Sequence, residues 1–425
     1  MNVLFFFLIS LIFFAYFGYP LTLFLLSKTN SKKVKKDTYT PPITLIITAC
    51  NEEKRIREKL ENTLTLDYPS DFLQVIIASD GSTDATNIIV QEYAEHEFEL
   101  LALPERQGKE NAQKEAVNHA TGDVIVFSDV ATRIEPCGLK EIAANFADPS
   151  VGCVSSVDKV IGRDGLPCGE GAYVRYEMWL RDLESKVSSL VGLSGSFFAA
   201  RKKVCQDFSG DMQSDFRTVL NSMKLGLRGV SDSDAIGYYP DVADNKREFD
   251  RKVRTVLRGM TVFFKNLEFL NFFSYGIFSY QYFCHKLLRW LVPVFMLIAL
   301  VTNIILAFSS VFYAVILVLH LAFYGLAGYG LIKPEAMERT IVKIPLYFLT
   351  VNAAILVAWY KYINGGDVDS VQSVNNKGFF GQDKNLISSD LRSKSASRRA
   401  REIAERSKGF VFLNKKVCKG QANNS

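Results

Sequence analysis

The sequence has few of the residues that build metal clusters or disulfide frameworks. Its seven cysteines are scattered without a CxxC pair, and it has only four histidines. This spacing indicates neither a zinc site nor a disulfide framework, and it favours a reducing compartment for the soluble part. No GxGxxG or Walker string follows a predicted strand, which argues against a dinucleotide-binding or phosphate-transferring enzyme. The histidines form no constellation, and we interpret all four as structural: His96, His119, His285 and His320.

The composition differs from that of a wholly soluble protein. Of the 425 residues, 48% are hydrophobic, and 32 are phenylalanine. The apolar excess lies at the two ends of the chain, which predicts a membrane protein with a soluble middle. The net charge of +5 is modest, and basic residues cluster beside the apolar segments. This arrangement suits membrane lipids with anionic headgroups better than nucleic acid.

Four segments are long and apolar enough to cross a bilayer. The first, residues 3–26, is uncharged and lacks the features of a cleaved signal peptide, so we expect an anchor in residues 1–27. A lysine-rich linker, residues 28–40, follows the anchor, and the positive-inside rule then predicts a cytoplasmic soluble domain. The other three predicted spans are residues 291–308, 311–332 and 344–360.

These segments divide the remaining chain into four parts. We expect a soluble domain at residues 41–258, interfacial helices at 259–286, three spanning helices at 287–360, and a polar, basic and disordered tail at 361–425. Four spans would place the tail outside the cell, whereas its excess of Lys and Arg favours the cytoplasm. The sequence leaves the side of the tail open.

Strand and helix patterns alternate in the middle of the chain. This alternation predicts an α/β, Rossmann-like fold with a mostly parallel sheet. After a loop at residues 162–171, an amphipathic helix is expected at 172–188 and a glycine-rich turn feeding a strand at 192–200. Buried strands are predicted at residues 43–49, 73–78, 98–103, 124–127 and 151–157.

Polar side chains follow three of these strands where each strand ends. The first strand is followed by Asn51 and Glu53, the second ends at Asp80, and the fourth ends at Asp129. Open α/β sheets bind ligands at the carboxyl ends of their strands, so these side chains predict a nucleotide-sized crevice. A buried carboxylate needs a cation or a hydrogen-bond donor, and we therefore expect Asp129 to face a metal-bound diphosphate.

Residues 41–258 resemble the membrane-bound family 2 glycosyltransferases, inverting enzymes with the GT-A fold. The resemblance rests on the strings ITACNEEKRI, LDYPSDFLQVIIASDGSTDAT, RQGKENAQ, FSDVAT, FADPSVG and SGSFFAARK, in this order. It implies a hexosyltransferase-type enzyme that moves a sugar from a nucleotide-diphosphate donor, expected to be a UDP-sugar. It also implies a multi-pass protein of the inner cell membrane with its catalytic domain in the cytoplasm.

The resemblance also implies roles for individual residues. The catalytic base would be Asp215, with Asp211 as the runner-up, and Asp129 would coordinate Mg²⁺ or Mn²⁺. Arg251 and Arg254 lie where related synthases carry a Gln-x-x-Arg-Trp motif against the diphosphate and acceptor. The residues that would bind the nucleotide sugar are Ala49, Asn51, Glu53, Asp80, Lys109 and Asp129.

Three positions depart from the family pattern. Ala131 removes one possible metal ligand from the DxD-type motif, Ser214 precedes the expected base, and Thr255 replaces a tryptophan. The favoured function is transfer to a lipid-linked or growing glycan acceptor in surface or exopolysaccharide synthesis. A processive polysaccharide synthase is one alternative, although Thr255 argues against it. A degenerate, non-catalytic membrane protein that binds nucleotide sugar is the other alternative.

Overall fold

The computed structural model describes residues 1–161, 172–240, 245–333, 335–336 and 339–365. The loop expected at residues 162–171 lies outside these residues. So does the tail expected at residues 361–425, apart from its first five residues.

Eight strands of the described residues form one mixed sheet, in the order β3-β2-β1-β4-β7-β6-β8-β5. The strands are β1 (Ile43–Ala49), β2 (Leu73–Asp80), β3 (Phe98–Leu103), β4 (Val124–Asp129), β5 (Arg133–Ile134), β6 (Val151–Ile161), β7 (Phe197–Arg201) and β8 (Arg228–Pro240). The α/β fold with a mostly parallel sheet, as expected from the sequence, is confirmed.

The first half of the sheet is parallel. β1 pairs with β2 on one side and with β4 on the other, and β2 pairs with β3. β1, the second half of β2 and nearly all of β4 are buried, as their runs of branched and aromatic residues predict. The carboxyl ends of these strands therefore meet at one edge of the sheet.

The second half of the sheet is mixed. β7 runs antiparallel to both β4 and β6, and β6 pairs with β8 in parallel. The sequence pattern did not predict β8, because the polar run of residues 231–234 interrupts its apolar positions. The reversal at β7 brings its approach loop beside the end of β4, where the Asp129 N–H donates to the Ser196 carbonyl at 3.0 Å.

Helices flank the sheet and continue into the membrane part. Those of the soluble domain are α2 (Ile56–Leu64), α3 (Thr86–Gln91), α4 (Lys109–His119), α5 (Gly138–Ala144), α6 (Ala172–Val187), α7 (Lys202–Cys205), α8 (Ser214–Lys224) and α9 (Asn245–Phe264). Four further helices are long and apolar enough to span a bilayer: α1 (Asn2–Thr29), α10 (Ile277–Ala307), α11 (Val311–Ile332) and α12 (Thr340–Ile363).

The segment between α9 and α10 differs from the expected interfacial helices. α9 continues to Phe264 and packs along α12, and two short helical turns follow at Leu267–Leu270 and Phe272–Tyr275. Gly276 ends the second turn with φ 55° and ψ −133°, a conformation that side-chain-bearing residues rarely adopt. The next spanning helix then begins at Ile277, ten residues before the expected boundary at 287.

α6 connects the soluble domain to two spanning helices. Glu184 on α6 is fully buried, and its Oε1 accepts a hydrogen bond from the Tyr19 hydroxyl of α1 at 2.5 Å. His285 Nδ1 of α10 lies 2.5 Å from the same oxygen. Two turns earlier on α6, Glu177 pairs with Arg289 of α10. Since a buried carboxylate needs such partners, these contacts fix α6 against both helices.

Five of the cysteines lie in the described part of the chain, and one of these five departs from the expected absence of disulfides. Cys50, Cys153, Cys205 and Cys284 are free thiols. Cys137 is disulfide-bonded. Spacing rules search for close cysteine pairs, so they could not indicate this bond.

Candidate active site

The Asp80 carboxylate orders the loop that leads into α4. Asp80 ends β2 and is 2% exposed. Its Oδ1 accepts from the Gln107 N–H at 2.8 Å, and its Oδ2 accepts from the Gly108 N–H at 2.9 Å. These contacts hold the residue before Lys109, so Asp80 sets the start of the helix that carries this lysine.

Lys109 joins the end of β4 to the loop before β7. Its Nζ donates to Asp129 Oδ1 at 2.5 Å and to the Gly195 carbonyl at 3.0 Å. Burial opposes the charged form of Lys109, but the adjacent Asp129, together with Glu110 and Asp215, outweighs burial and raises the pKa of Lys109. Lys109 is therefore a fixed cation at the strand ends.

Asp215 lies on the other side of the same loop. A Cβ on Gly195 would lie only 2.8 Å from Asp215 Oδ2, so the backbone at 195 directly contacts this carboxylate. Asp215 Oδ1 accepts from the Phe216 N–H at 2.7 Å, and Oδ2 accepts from Gln213 Nε2 at 3.2 Å. Asp129, Lys109, Gly195 and Asp215 thus form one contiguous group, which we call the acidic cleft.

Asp158, which the sequence analysis did not single out, anchors the loop of the acidic cleft. Its two carboxylate oxygens accept from the Ser194 and Ser196 hydroxyls, each at 2.5 Å. Burial raises the pKa of Asp158, and the charge of Asp129 adds to the rise, against the opposing hydrogen bonds from the two serines. Asp158 therefore holds both neighbours of Gly195.

Lys59 is a second residue that the sequence analysis missed. It lies on α2, is 2% exposed, and donates from Nζ to Ser128 Oγ at 2.7 Å and to the Thr132 carbonyl at 2.6 Å. These acceptors bracket the turn that begins at Asp129. Burial lowers the pKa of Lys59 to about 7, although the charge of Asp129 opposes the fall.

The sequence could have indicated Lys59 through its helical spacing. Residues 56, 59, 60 and 63 are all buried, which is the period of one helix face. A lysine at an inward position of such a face needs polar partners inside the protein.

The predicted nucleoside-binding residues at the end of β1 and in the loop that follows it contact the end of β2 and the loop after β2. Ala49 is buried and pairs with Ser79. Asn51 adopts φ 55°, and its Oδ1 accepts from the Thr83 N–H at 2.8 Å. Glu53 Oε2 accepts from the Ala85 N–H at 3.3 Å. Asn51 and Glu53 thus tie the two loops together.

Arg251 of the predicted basic pair on α9 and the runner-up base, Asp211, make contacts away from the acidic cleft. Arg251 forms a two-pronged pair with Glu248 of its own helix, with Nε to Oε2 at 2.8 Å. Burial and the charge of Arg258 lower the pKa of Arg254. Asp211 pairs with Lys265 at 3.0 Å, and both side chains are more than half exposed.

A third arginine of α9 reaches the start of α4. Arg258 pairs with Glu110, the residue after Lys109. Arg258 follows Arg254 by four residues, which places both on one helix face. A search for repeats at helical spacing could therefore have found it.

The donor set at Asp129 suits a metal held largely by substrate. Among the described residues, no group of three or more His, Cys, Asp or Glu side chains could hold a metal ion. Ala131 supplies no oxygen, and the Asp129 side chain is 39% exposed. Mg²⁺ commonly binds one or two carboxylates and completes its shell with phosphate oxygens and water. Asp129 fits that mode as a single, partly exposed carboxylate.

Comparison with known sequences finds similarity within the soluble domain. Residues 44–207 match the sequence model of Glycosyl transferase family 2. Over 195 residues, the chain is 27% identical to poly-beta-1,6-N-acetyl-D-glucosamine synthase of Staphylococcus aureus (strain COL), covering 44% of this chain and 46% of that one. Over 202 residues it is 25% identical to beta-monoglucosyldiacylglycerol synthase of Synechocystis sp., covering 44% and 42%. The match thus spans less than half the length of these relatives.

A solved structure shares the fold over most of the chain. Mannosyltransferase PcManGT from Pyrobaculum calidifontis, in complex with GDP-Man and Mn²⁺, superposes with a TM-score of 0.65 and 24% identity. The superposition covers 85% of this chain and 99% of the mannosyltransferase. This likeness confirms the expected GT-A fold.

Proposed function

We propose that this chain, whose residues 44–207 form a family 2 glycosyltransferase domain, is an inverting glycosyltransferase at a membrane surface. Its donor is a nucleotide-diphosphate sugar, which we take to be a UDP-sugar. Its acceptor is a lipid-linked or growing glycan of surface or exopolysaccharide synthesis. The enzyme lies in the inner cell membrane with residues 41–258 in the cytoplasm.

The contiguity of the acidic cleft carries this proposal. Lys109 touches Asp129 and the Gly195 carbonyl, and Gly195 directly contacts the Asp215 carboxylate. Glycosyl transfer needs a cationic environment for a departing diphosphate and a base for the acceptor hydroxyl. The acidic cleft supplies the cation as Lys109 and the base as Asp215, and both contact the loop at Gly195.

Each residue has a distinct part in the chemistry. Lys109 faces the negative charge that develops on the leaving diphosphate, which is the usual electrostatic contribution of a fixed cation. Asp215 accepts the proton of the acceptor hydroxyl as it attacks, and such general base catalysis contributes about 10²–10⁴-fold in rate. Attack opposite the leaving group, with a single base, inverts the anomeric carbon.

A divalent cation belongs beside Asp129. When bound, Mg²⁺ or Mn²⁺ would neutralise charge on the donor phosphates. Asp129 would hold it, with Lys59 fixing the turn beneath through Ser128 and the Thr132 carbonyl. The mannosyltransferase of the same fold is described with GDP-Man and Mn²⁺, which supports this assignment.

The similar proteins support a glycan or lipid acceptor. One relative is named as a synthase of a polymeric N-acetylglucosamine, and another as a synthase of a glucosylated diacylglycerol. Four helices able to span a bilayer support a position of the domain at a lipid surface. The relative named as a polymer synthase also favours the alternative of processive transfer. The length of the glycan product distinguishes processive transfer from the addition of a single sugar.

The test compares two carboxylates four residues apart in purified full-length protein. A panel of UDP-sugars is supplied with a membrane extract as acceptor, and both UDP release and glycan product are measured. Asp215→Asn should lower kcat by about 10²–10⁴-fold, since it removes the general base. Asp211→Asn is the matched control and should remain near wild type, because Asp211 pairs with Lys265 at the surface.

Equal activity of Asp215→Asn and wild type would overturn the assignment of the base. Donor binding without turnover of any sugar in the panel would instead favour the degenerate, nucleotide-sugar-binding alternative, which Ala131 motivates.

A further inference from the structure

A basic cavity of about 870 Å³ lies at the far end of α8 from Asp215. Its lining includes Lys32, Lys33 and Lys35 of the linker after α1, with Lys224 and Arg228 from the soluble domain. Its volume falls within the usual range for small-molecule sites.

Backbone hydrogen bonds hold the linker lysines in place, so that their side-chain ammonium groups are available to bind a ligand. The Lys32 N–H donates to the Lys186 carbonyl at 2.7 Å, and the Lys35 N–H donates to Asp148 Oδ2 at 3.1 Å. Arg228 donates to the Lys32 carbonyl at 2.9 Å. Among the described residues, no carboxylate pairs with the side chain of Lys32, Lys33 or Lys35.

The one carboxylate in the lining is already occupied. Asp148 accepts from the Ser150 N–H and hydroxyl, at 2.9 and 2.7 Å, and lies 3.6 Å from Arg228. These hydrogen bonds outweigh burial and lower the pKa of Asp148. The cavity therefore presents an excess of positive charge to an incoming ligand.

An apolar groove of about 810 Å³ is lined by Leu25 and Leu26 of α1 together with Leu270 and Phe272. The short turn before α10 contributes Phe272 to this groove and Ser274 and Tyr275 to the basic cavity. The same turn carries Phe273, which is fully exposed. A fully exposed phenylalanine beside two spanning helices suits insertion among lipid chains.

The cavity is distinct from the acidic cleft. α8 has 11 residues and carries Asp215 at its start and Lys224 at its end. At 1.5 Å per residue these ends are about 14 Å apart. A phosphate held by the lysines of the basic cavity is therefore too far from Asp215 to contact its carboxylate.

We propose that the basic cavity and the apolar groove together bind one anionic glycerophospholipid, with its phosphate among Lys32, Lys33 and Lys35 and its acyl chains along the groove. Two observations support this occupant. The charge of the cavity complements a phosphate, and the groove is lined by residues of α1 and α10, two helices long and apolar enough to span a bilayer. This lipid site is separate from the acidic cleft, and it does not depend on the proposed transferase activity.

Native mass spectrometry of the full-length protein tests the proposal. Detergent-solubilised protein is exposed to an equal mixture of phosphatidylglycerol and phosphatidylcholine, and the retained lipid is counted. Wild type should retain one phosphatidylglycerol in preference to phosphatidylcholine. Lys32→Gln/Lys33→Gln should bind it on the order of tenfold or more weakly, because each lysine near an anionic headgroup contributes appreciably to binding.

A matched control removes the same charge elsewhere. Lys140→Gln/Lys203→Gln changes two exposed lysines outside the cavity and should retain phosphatidylglycerol like wild type. Glycerol 3-phosphate at millimolar concentration should not displace the lipid, because it lacks the acyl chains.

Three outcomes overturn the proposal. They are wild-type retention by Lys32→Gln/Lys33→Gln, equal retention of both lipids by wild type, and displacement by glycerol 3-phosphate, which would indicate a free-phosphate site. If the lysine variant fails to fold, Phe272→Ser decides in its place. Phe272 lines the groove and is 61% exposed, so its replacement should spare the fold and weaken lipid retention, and unchanged retention would contradict the proposal.

Discussion

Gly195 lies so close to Asp215 that an added Cβ would stand 2.8 Å from the carboxylate oxygen Oδ2. A contact of that kind is shorter than side chains tolerate, so any larger residue at 195 must displace the carboxylate. The backbone here is not in the left-handed region that favours glycine, and the constraint is therefore steric.

Gly195→Ala should accordingly lower kcat with little change in folding. Displacement of a catalytic group by about 1 Å costs on the order of 10²-fold in rate. The measurement is kcat with the best donor, alongside a thermal unfolding curve. Gly325→Ala is the control, because a Cβ at that position meets nothing within 4 Å. Full activity in Gly195→Ala would show that catalysis does not depend on the position that Asp215 has in this structure.

Asp129→Asn should uncouple nucleotide binding from divalent metal. In wild type, UDP should bind at least about tenfold more tightly with Mn²⁺ than with chelator, because a metal bridges the carboxylate and the phosphates. In the variant the two affinities should converge. Isothermal titration calorimetry measures both.

Asp123→Asn provides the comparison for Asp129→Asn. Asp123 is exposed and precedes β4, whereas Asp129 ends it. Its replacement should leave the metal dependence intact. A variant at Asp129 that keeps the wild-type response to chelator would place the metal elsewhere.

Lys59 should make stability rise with pH. The pKa of Lys59 falls from 10.5 to about 7 in the folded protein, so the unfolded chain binds more protons between these values. Unfolding then becomes less favourable as the pH increases from about 7 towards 10.5. Lys59→Met has no group to titrate at this position and should show a smaller slope.

The measurement for Lys59 is the thermal unfolding midpoint in detergent between about pH 7.5 and about pH 9.5, a range that lies within the linkage window. Lys203→Met is a control, because Lys203 is exposed. Identical slopes for wild type and Lys59→Met would mean that Lys59 stays charged in the folded protein.

The sequence predicted the parts of the fold that local pattern determines. Runs of buried branched residues located β1, β2 and β4, and polar residues at their ends located Asp80 and Asp129 at one edge. Uncharged apolar segments located four helices able to span a bilayer. Each of these inferences needs only a window of residues and the geometry of parallel strands.

The sequence could not predict the contacts that join distant segments. Asp158 binds Ser194 and Ser196, which follow it by more than thirty residues, and no local pattern connects them. The role of Lys59 depends on α2 packing beneath the end of β4. β8 escaped prediction because its polar residues break the alternation, although pairing with β6 holds it in the sheet.

Glu184 receives one contact from Tyr19, near the beginning of the chain, and another from His285, far along it. The soluble domain is thus joined to α1 and α10 at one buried carboxylate, and the pair of Glu177 with Arg289 adds a second contact with α10, so the domain cannot turn freely on these helices while the contacts persist. In a bilayer spanned by these helices, Asp215 would consequently stay at one height above the membrane surface. The enzyme would then select acceptors first by the height of their hydroxyl group above the membrane surface, and only afterwards by the stereochemistry of the sugar.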